Sequence, residues 1–370
     1  MLYVIMKSRI LSKEVNDMNI IYKATAYNVK LIGRTYYDNE RLWFGLSGSG
    51  VEFDFVGTRC EIKIGGDSIA LSDDPANETN KARFAIYVNG ERVVDEIIRG
   101  KSKFYKIIES EEETHAVITV IKLSEAAMSS MYISEINVNG VISPTPDKRA
   151  FIEFIGDSIT CGYGIDDEDE NHNFSTATED VTRAYAYRTA QALDVDYSMV
   201  SYSGYGIVSG YTGDGVKNAS ELVPPYYENP AYTIGDFGSV KPQNLQWNFA
   251  VRQPDLILIN LGTNDDSYCG EDEARRDEYC KLYVDFLKTV RKNNPKAKIV
   301  SALGIMTDRL CPYVERVVGE YSTQTGDTNI ITFRFDVQKH EDGYAANWHP
   351  TAKTHGKAAE KLAAYLKTLI

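Results

Sequence analysis

Up to about residue 145, the apolar side chains fall in runs with a period of two. Val51, Phe53 and Phe55 alternate with polar residues in GVEFDF, and Phe84, Ile86 and Val88 do the same in RFAIYVNG. A period of two marks a strand with one face buried. CEIKI (60–64), RVVDEII (92–98), HAVITVIKL (115–123) and MYISEINVNG (131–140) extend the set, with Gly, Asn, Asp and Ser clusters between them. Several short strands separated by turn residues predict an all-β domain over 1–145, a β-sandwich of jelly-roll type.

The segment VISPTPDKR (141–149) carries two prolines and no apolar period, so it reads as a linker. Beyond it the pattern changes. Continuous apolar runs at 150–156, 195–202, 255–262, 297–304 and 329–335 alternate with longer segments of helical period. The clearest helix is 272–293, where Tyr279, Leu282, Phe286 and Val290 form one stripe before Asn294-Pro295 ends it. Another is 351–369, striped by Ala358, Ala359, Leu362, Leu366 and Leu369. This alternation predicts a mostly parallel sheet covered on both faces, a three-layer α/β domain over 146–370. A chain of 370 residues is long enough for two such cores.

The formal net charge of −13, with no dense Lys/Arg run, opposes binding to a phosphate backbone. Nucleic acid is therefore not an expected partner. No apolar stretch approaches the roughly 20 residues that span a bilayer, so no membrane is expected either. The start, MLYVIMKSRILSKEVNDMN, lacks a basic region ahead of an apolar one and lacks a small-residue cleavage site. The expected location is cytoplasmic, with secretion of a longer precursor left open. Cys60, Cys161, Cys269, Cys280 and Cys311 are odd in number and include no C-x-x-C pair, which predicts reduced, buried thiols and neither a disulfide frame nor a zinc site. His115, His172, His340 and His355 have no partner at metal-ligand spacing and read as structural. The acidic run DDEDE (166–170) lacks the alternating ligands of a calcium loop and reads as solvated. No metal or cofactor is expected.

In an open parallel sheet, reactive groups collect beyond the carboxyl ends of the strands. The run at 150–156 leads into Gly156-Asp157-Ser158, that at 195–202 into Ser203-Gly204-Tyr205-Gly206, and that at 255–262 into Gly262-Thr263-Asn264-Asp265. Trp348-His349-Pro350 lies just before the last helix. These residue types suit acyl transfer. A serine hydroxyl becomes a nucleophile when an imidazole accepts its proton, and the tetrahedral intermediate needs fixed donors for its oxyanion. Ser158 and His349 fill the first requirement. The backbone N–H groups of Ser158 and Gly204 and the side-chain amide of Asn264 fill the second, while Asp157 anchors the turn. Each motif alone has a bland reading as a turn or a packed residue; it is their order and placement that carry the argument.

The blocks FIGDSITCGYG, YSGYG, LGTND and WHP resemble those of the SGNH or GDSL hydrolases, and the likeness covers roughly 150–370. GRTYYDNERLWFGLSGSGVEFDFVGT (33–58) ahead of them is similar to carbohydrate esterase family 2, in which a jelly roll precedes an SGNH domain. That resemblance implies removal of acetyl groups from plant polysaccharides without a metal or organic cofactor, with Ser158 as nucleophile, His349 as base, and Gly204 and Asn264 as oxyanion donors.

One position departs from the pattern. The superfamily usually carries an Asp three residues before the histidine, and here that residue is Ala346. The expected arrangement is a Ser-His dyad in which a backbone carbonyl holds the imidazole; the competing one is an acid from elsewhere, with Asp336, Glu341 and Asp342 nearest in sequence. Trp348 either offers its ring to a sugar or packs the loop, and Trp43 and Trp247 read mainly as core. The four blocks do not read the alcohol half of the ester. A lipase-like esterase or thioesterase on the same scaffold, and a carbohydrate-binding protein whose site has decayed, therefore stand as alternatives. The sugar, the hydroxyl and the saccharide length are not legible, and the exposed edges of a sandwich leave room for a homo-oligomer.

Overall fold

The computed structural model describes residues 19–370; the start of the chain, on which the reading about a leader rests, lies outside the described residues. Ten strands, from Ile20–Tyr22 to Val141–Pro144, form one branched antiparallel sheet. GVEFDF and CEIKI, expected as separate strands, are one continuous strand, Gly50–Gly66. Register shifts between Gly57 and Arg59 and between Cys60 and Glu61 interrupt its ladder. Such irregularities bend a strand and increase its twist, and this strand changes partners there: its first half pairs with Lys30–Ile32 and Val141–Pro144, its second with Met131–Val138. The inner face packs Phe53, Phe55, Phe84, Ile118 and Ile133 into one core.

Three expectations need correction here. HAVITVIKL is only the end of a strand that begins at Lys103, because the polar, mostly exposed first half lacks alternation. The expected linker begins as an edge strand, with Val141–Pro144 paired to residues 53–56; Pro144 is its last residue, where a missing N–H costs no ladder bond. Asp166 is not a solvated acid, since its carboxylate binds Arg83 at 2.6 Å and also Arg183. The short strands before Phe44 had no sequence signal long enough to read.

In the second half, five parallel strands lie in the order Asp196–Ser201, Phe151–Gly156, Leu256–Asn260, Lys298–Leu303, Ile330–Arg334. The first four are almost wholly buried, as their unbroken apolar runs require. Ile257 and Ile259 face the helices Glu273–Asn293 and Cys311–Thr325, whereas Leu256 and Leu258 face Tyr185–Leu193 and Ala352–Leu366. The predicted helices at 272–293 and 351–369 are therefore present. Both halves of the chain contribute to one core, with Trp43, Ala126 and Tyr132 packed alongside Tyr202 and Tyr205. The two halves are also joined by Arg34, whose guanidinium meets both Glu153 carboxylate oxygens at 3.1–3.2 Å and donates to the Asn229 carbonyl at 2.9 Å. Among the described residues no helix is long and apolar enough to cross a membrane.

Candidate active site

The strand order reverses direction at Phe151–Gly156, which has the second strand on one side and the third on the other. Gly156 pairs with Ser201 and with Asn260, so the three strands end level and their following loops share one rim. Ser158 opens the short helix Ser158–Cys161, which Asp157 caps by accepting the Ile159 N–H at 3.0 Å. As the first helical residue, Ser158 has no carbonyl one turn back for its own N–H.

The Ser158 Oγ lies 2.9 Å from His349 Nε2. On the other side of the ring, Nδ1 lies 3.1 Å from the Asn347 carbonyl and 3.2 Å from that of Ala346. Two carbonyls can only accept, so the proton sits on Nδ1 and Nε2 is free to receive the serine hydrogen. The local backbone explains the arrangement. Asn347 and Trp348 both have left-handed φ, 51° and 63°, which curls the chain so that its carbonyls face the imidazole of the next residue. The Asn347 amide donates to the Tyr163 hydroxyl at 2.7 Å, and the Tyr163 ring stacks on His349 at 4.0 Å. With burial dominant, the His349 pKa falls from 6.5 to about 4, and the two carbonyl contacts offset only part of that.

None of the three nearby acids contacts the ring. Asp342 is held by Lys353 at 2.8 Å and Lys357 at 2.6 Å, and Asp336 pairs with Lys361 at 2.7 Å. Glu341 approaches Lys339 at 3.9 Å. Position 346 is itself confined. A Cβ added to Gly164, whose φ is +61°, would come within 2.7 Å of the Ala346 Cβ. The missing Asp and this glycine are two sides of one close contact.

Gly204 takes φ +83°, a conformation that favours glycine. Its neighbours' N–H groups are engaged, Ser203 by the Glu125 carboxylate at 3.0 Å and Tyr205 by the Tyr202 carbonyl at 3.3 Å. Among the described residues the Gly204 N–H has no partner. Asn264, on the helix Thr263–Cys269, donates one amide hydrogen to the Tyr205 carbonyl at 2.8 Å and approaches Asp157 Oδ2 only at 3.5 Å. It therefore pins the glycine loop and keeps one loosely held hydrogen. The next residue, Asp265, is fully buried and accepts the N–H groups of Ile207, Val208 and Ser209. Burial raises Asp157 to about 7 and Asp265 to about 6, the neighbouring charge of Asp265 adding to the Asp157 shift.

Trp348 is 53% exposed beside the base, its ring 5.1 Å from Tyr344. Sequence reasoning missed Tyr163 and Asp265, although both lie inside the quoted blocks, and missed Tyr211, whose side chain is exposed and whose backbone N–H donates to the Gly204 carbonyl at 2.8 Å. Trp43 is core, as expected. A cavity of about 760 Å³ between the two sheets, lined by Arg34, Glu153, Trp247 and Phe249 among others, includes neither Ser158 nor His349. All five cysteines are buried and free.

Residues 154–357 match the GDSL-like Lipase/Acylhydrolase family. The chain belongs to that family. Ahead of this GDSL domain, residues 31–146 match the Carbohydrate esterase 2 N-terminal family. The chain is 29% identical over 331 residues to the Cellulase/esterase CelE of Acetivibrio thermocellus, an alignment that takes in 87% of this chain and 37% of that protein. It is 29% identical over 261 residues to an Acetylxylan esterase / glucomannan deacetylase of Cellvibrio japonicus, 68% of this chain and 67% of that one. An acetyl xylan esterase (Est2A) from Butyrivibrio proteoclasticus superposes with a TM-score of 0.84 at 22% identity, over 95% of this chain and 98% of its own. The GDSL-family chain thus shares the fold of that esterase along nearly its whole length and spans just over a third of CelE.

Proposed function

We propose that this protein is a serine esterase that removes O-acetyl groups from plant polysaccharide or oligosaccharide, an acetylxylan esterase type of activity needing no metal or organic cofactor. The observation that carries the reading is the 2.9 Å approach of Ser158 Oγ to His349 Nε2 beside the N–H of Gly204, which has no partner among the described residues. In the proposed reaction Ser158 attacks the acetyl carbonyl as His349 takes its proton. The oxyanion is held by the N–H groups of Ser158 and Gly204 and by Asn264, and the sugar hydroxyl departs with the proton from His349. Water then hydrolyses the acetyl-enzyme by the same path in reverse roles. With Nδ1 against two backbone carbonyls, the base works in a dyad. Trp348 offers an apolar ring to the saccharide. The acetyl xylan and glucomannan activities in the relatives' names support the substrate class.

Release of acetate from acetylated xylan or glucomannan, compared with hydrolysis of long-chain acyl esters, tests this. Preference for the acetylated saccharide, together with phosphonate labelling that Ser158→Ala abolishes, is the expected result. Faster turnover of long-chain esters would replace the reading with a lipase-like one, and an intact protein that is neither active nor labelled would refute catalysis.

A further inference from the structure

The loop that presents Gly204 is fixed from the antiparallel half of the molecule. Glu125 lies between the strands Lys103–Lys122 and Met131–Val138, outside all four hydrolase blocks. Its side chain is fully buried and bridges two backbone donors, accepting the Ala127 N–H through Oε1 at 2.9 Å and the Ser203 N–H through Oε2 at 3.0 Å. One contact holds its own turn and the other holds the residue before Gly204. The turn is braced in its place by two more buried groups. Lys122 Nζ donates to the carbonyls of Ser124 at 2.6 Å and Glu125 at 2.7 Å, and the Glu125 N–H donates to Glu179 Oε2 at 2.5 Å. Glu125, Glu179 and Cys161 offer ligand atoms within 4.8 Å of one another. Both Glu125 oxygens, however, are already taken by backbone N–H groups, so the cluster is a hydrogen-bonded brace.

We propose that Glu125 is a positioning residue for the esterase reaction, a carboxylate from the all-β domain that aims the Gly204 N–H at the oxyanion by holding the Ser203 peptide. The inference rests on the esterase reading above and extends it. The residue after Gly204 is held by Asn264 through the Tyr205 carbonyl. Gly204 is thus suspended between two side chains, one from each half of the chain. A glycine at φ +83° has little intrinsic preference to stay in place, and a donor serves an oxyanion only when it is already oriented before reaction. A buried carboxylate accepting two backbone N–H groups supplies that rigidity, because each charge-assisted bond is about twice as strong as a neutral one. The antiparallel domain is then part of the catalytic scaffold and not a detachable module.

The test is kinetics of the full chain with an aryl acetate, normalised to active sites titrated by phosphonate, for wild type, Glu125→Ala and Glu125→Gln. Misplacement of a donor by about 1 Å can cost about a hundredfold. Glu125→Ala should lower kcat per titrated site by about tenfold to a hundredfold with KM changed less than about twofold, and should weaken a boronate that forms a tetrahedral adduct on Ser158 by a similar factor. Glu125→Gln, which keeps one acceptor, should fall between that variant and wild type. A kcat per titrated site within about threefold of wild type, or a rise in KM at constant kcat, overturns the proposal, since a purely structural role would reduce the number of active sites and not their turnover. If neither variant folds, amide exchange in intact wild type decides. A protected Ser203 N–H beside a Gly204 N–H that becomes protected only with boronate supports the proposal, and exchange of both at loop rates refutes it. A wild type that is neither labelled nor active would instead refute the esterase reading.

Discussion

The Nδ1 of His349 lies 3.1 Å from the carbonyl oxygen of Asn347, two residues before it in the chain. The imidazole is therefore oriented by its own turn, and the acids near it in sequence are committed to lysines. Asp336→Asn, Glu341→Gln and Asp342→Asn should each keep kcat within about threefold of wild type, whereas loss of an orienting acid in a protease triad costs about ten thousandfold. Steady-state rates on an aryl acetate check this. Restoring the usual acid should not help. The Ala346 Cβ packs against Gly164, so Ala346→Asp is expected to lower the melting temperature without raising kcat.

The depressed pKa of His349, about 4 against 6.5 when free, fixes a pH dependence. The imidazole must be neutral to accept the Ser158 proton. The limb of the kcat/KM profile that belongs to this histidine should consequently lie near pH 4 and not near 6.5. The same shift bears on stability. Between these two values the unfolded chain binds a proton that the folded chain does not, so this group's contribution becomes less favourable as pH falls from about 6.5 towards 4. A limb centred above pH 6 that Asp157→Asn and Asp265→Asn both leave in place would contradict the desolvated environment of the ring.

Asn264 has two expected tasks, holding the Tyr205 carbonyl and offering a hydrogen to the oxyanion. Asn264→Ala should lower kcat by about a hundredfold to a thousandfold, with a small effect on KM. Comparable losses in kcat and in boronate affinity would confirm that the effect is in the transition state.

Trp348 is an exposed ring beside the base, and its contribution should appear only with a saccharide. Trp348→Ala is expected to raise KM for acetylated xylan by up to about tenfold, which corresponds to the roughly 0.5–1.5 kcal/mol of an aromatic contact. Rates on a small aryl acetate should hardly change. Equal losses on both substrates would assign the ring to packing of the catalytic loop.

Arg34 and Glu153 form a buried pair across the two halves of the chain, with Arg34 only 1% exposed. Arg34→Ala leaves the Glu153 charge without its partner, and breaking such a pair typically costs about 3–5 kcal/mol. Denaturant unfolding should show that loss. A change below about 1 kcal/mol would mean the Tyr227 hydroxyl, 3.1 Å from Glu153, suffices for it.

Much of the catalytic rim was legible because its residues sit in contiguous blocks at the ends of apolar strands, where period and length announce the element. Ser158, Gly204, Asn264 and His349 were read this way, and the structure brings Ser158 and His349 within 2.9 Å of each other. The strand Lys103–Lys122 was read short because its first half is mostly exposed, and the apolar alternation that reports burial is absent there. Glu125 carried no signal, since an acidic residue in a turn looks solvated until the fold closes over it.

The sequence alone determined that strands and helices of these two kinds would form, because burial of one face or of both leaves its period in the order of residues. It also determined the chemistry available, through four short motifs. Only the tertiary structure decided what holds that chemistry in place. Carbonyls of residues 346 and 347 face the imidazole where no acid does, and a carboxylate from the antiparallel half accepts the Ser203 N–H beside Gly204. Both contacts end on backbone groups, which every residue carries alike, so the sequence could raise the first only as one of two alternatives and gave no sign of the second.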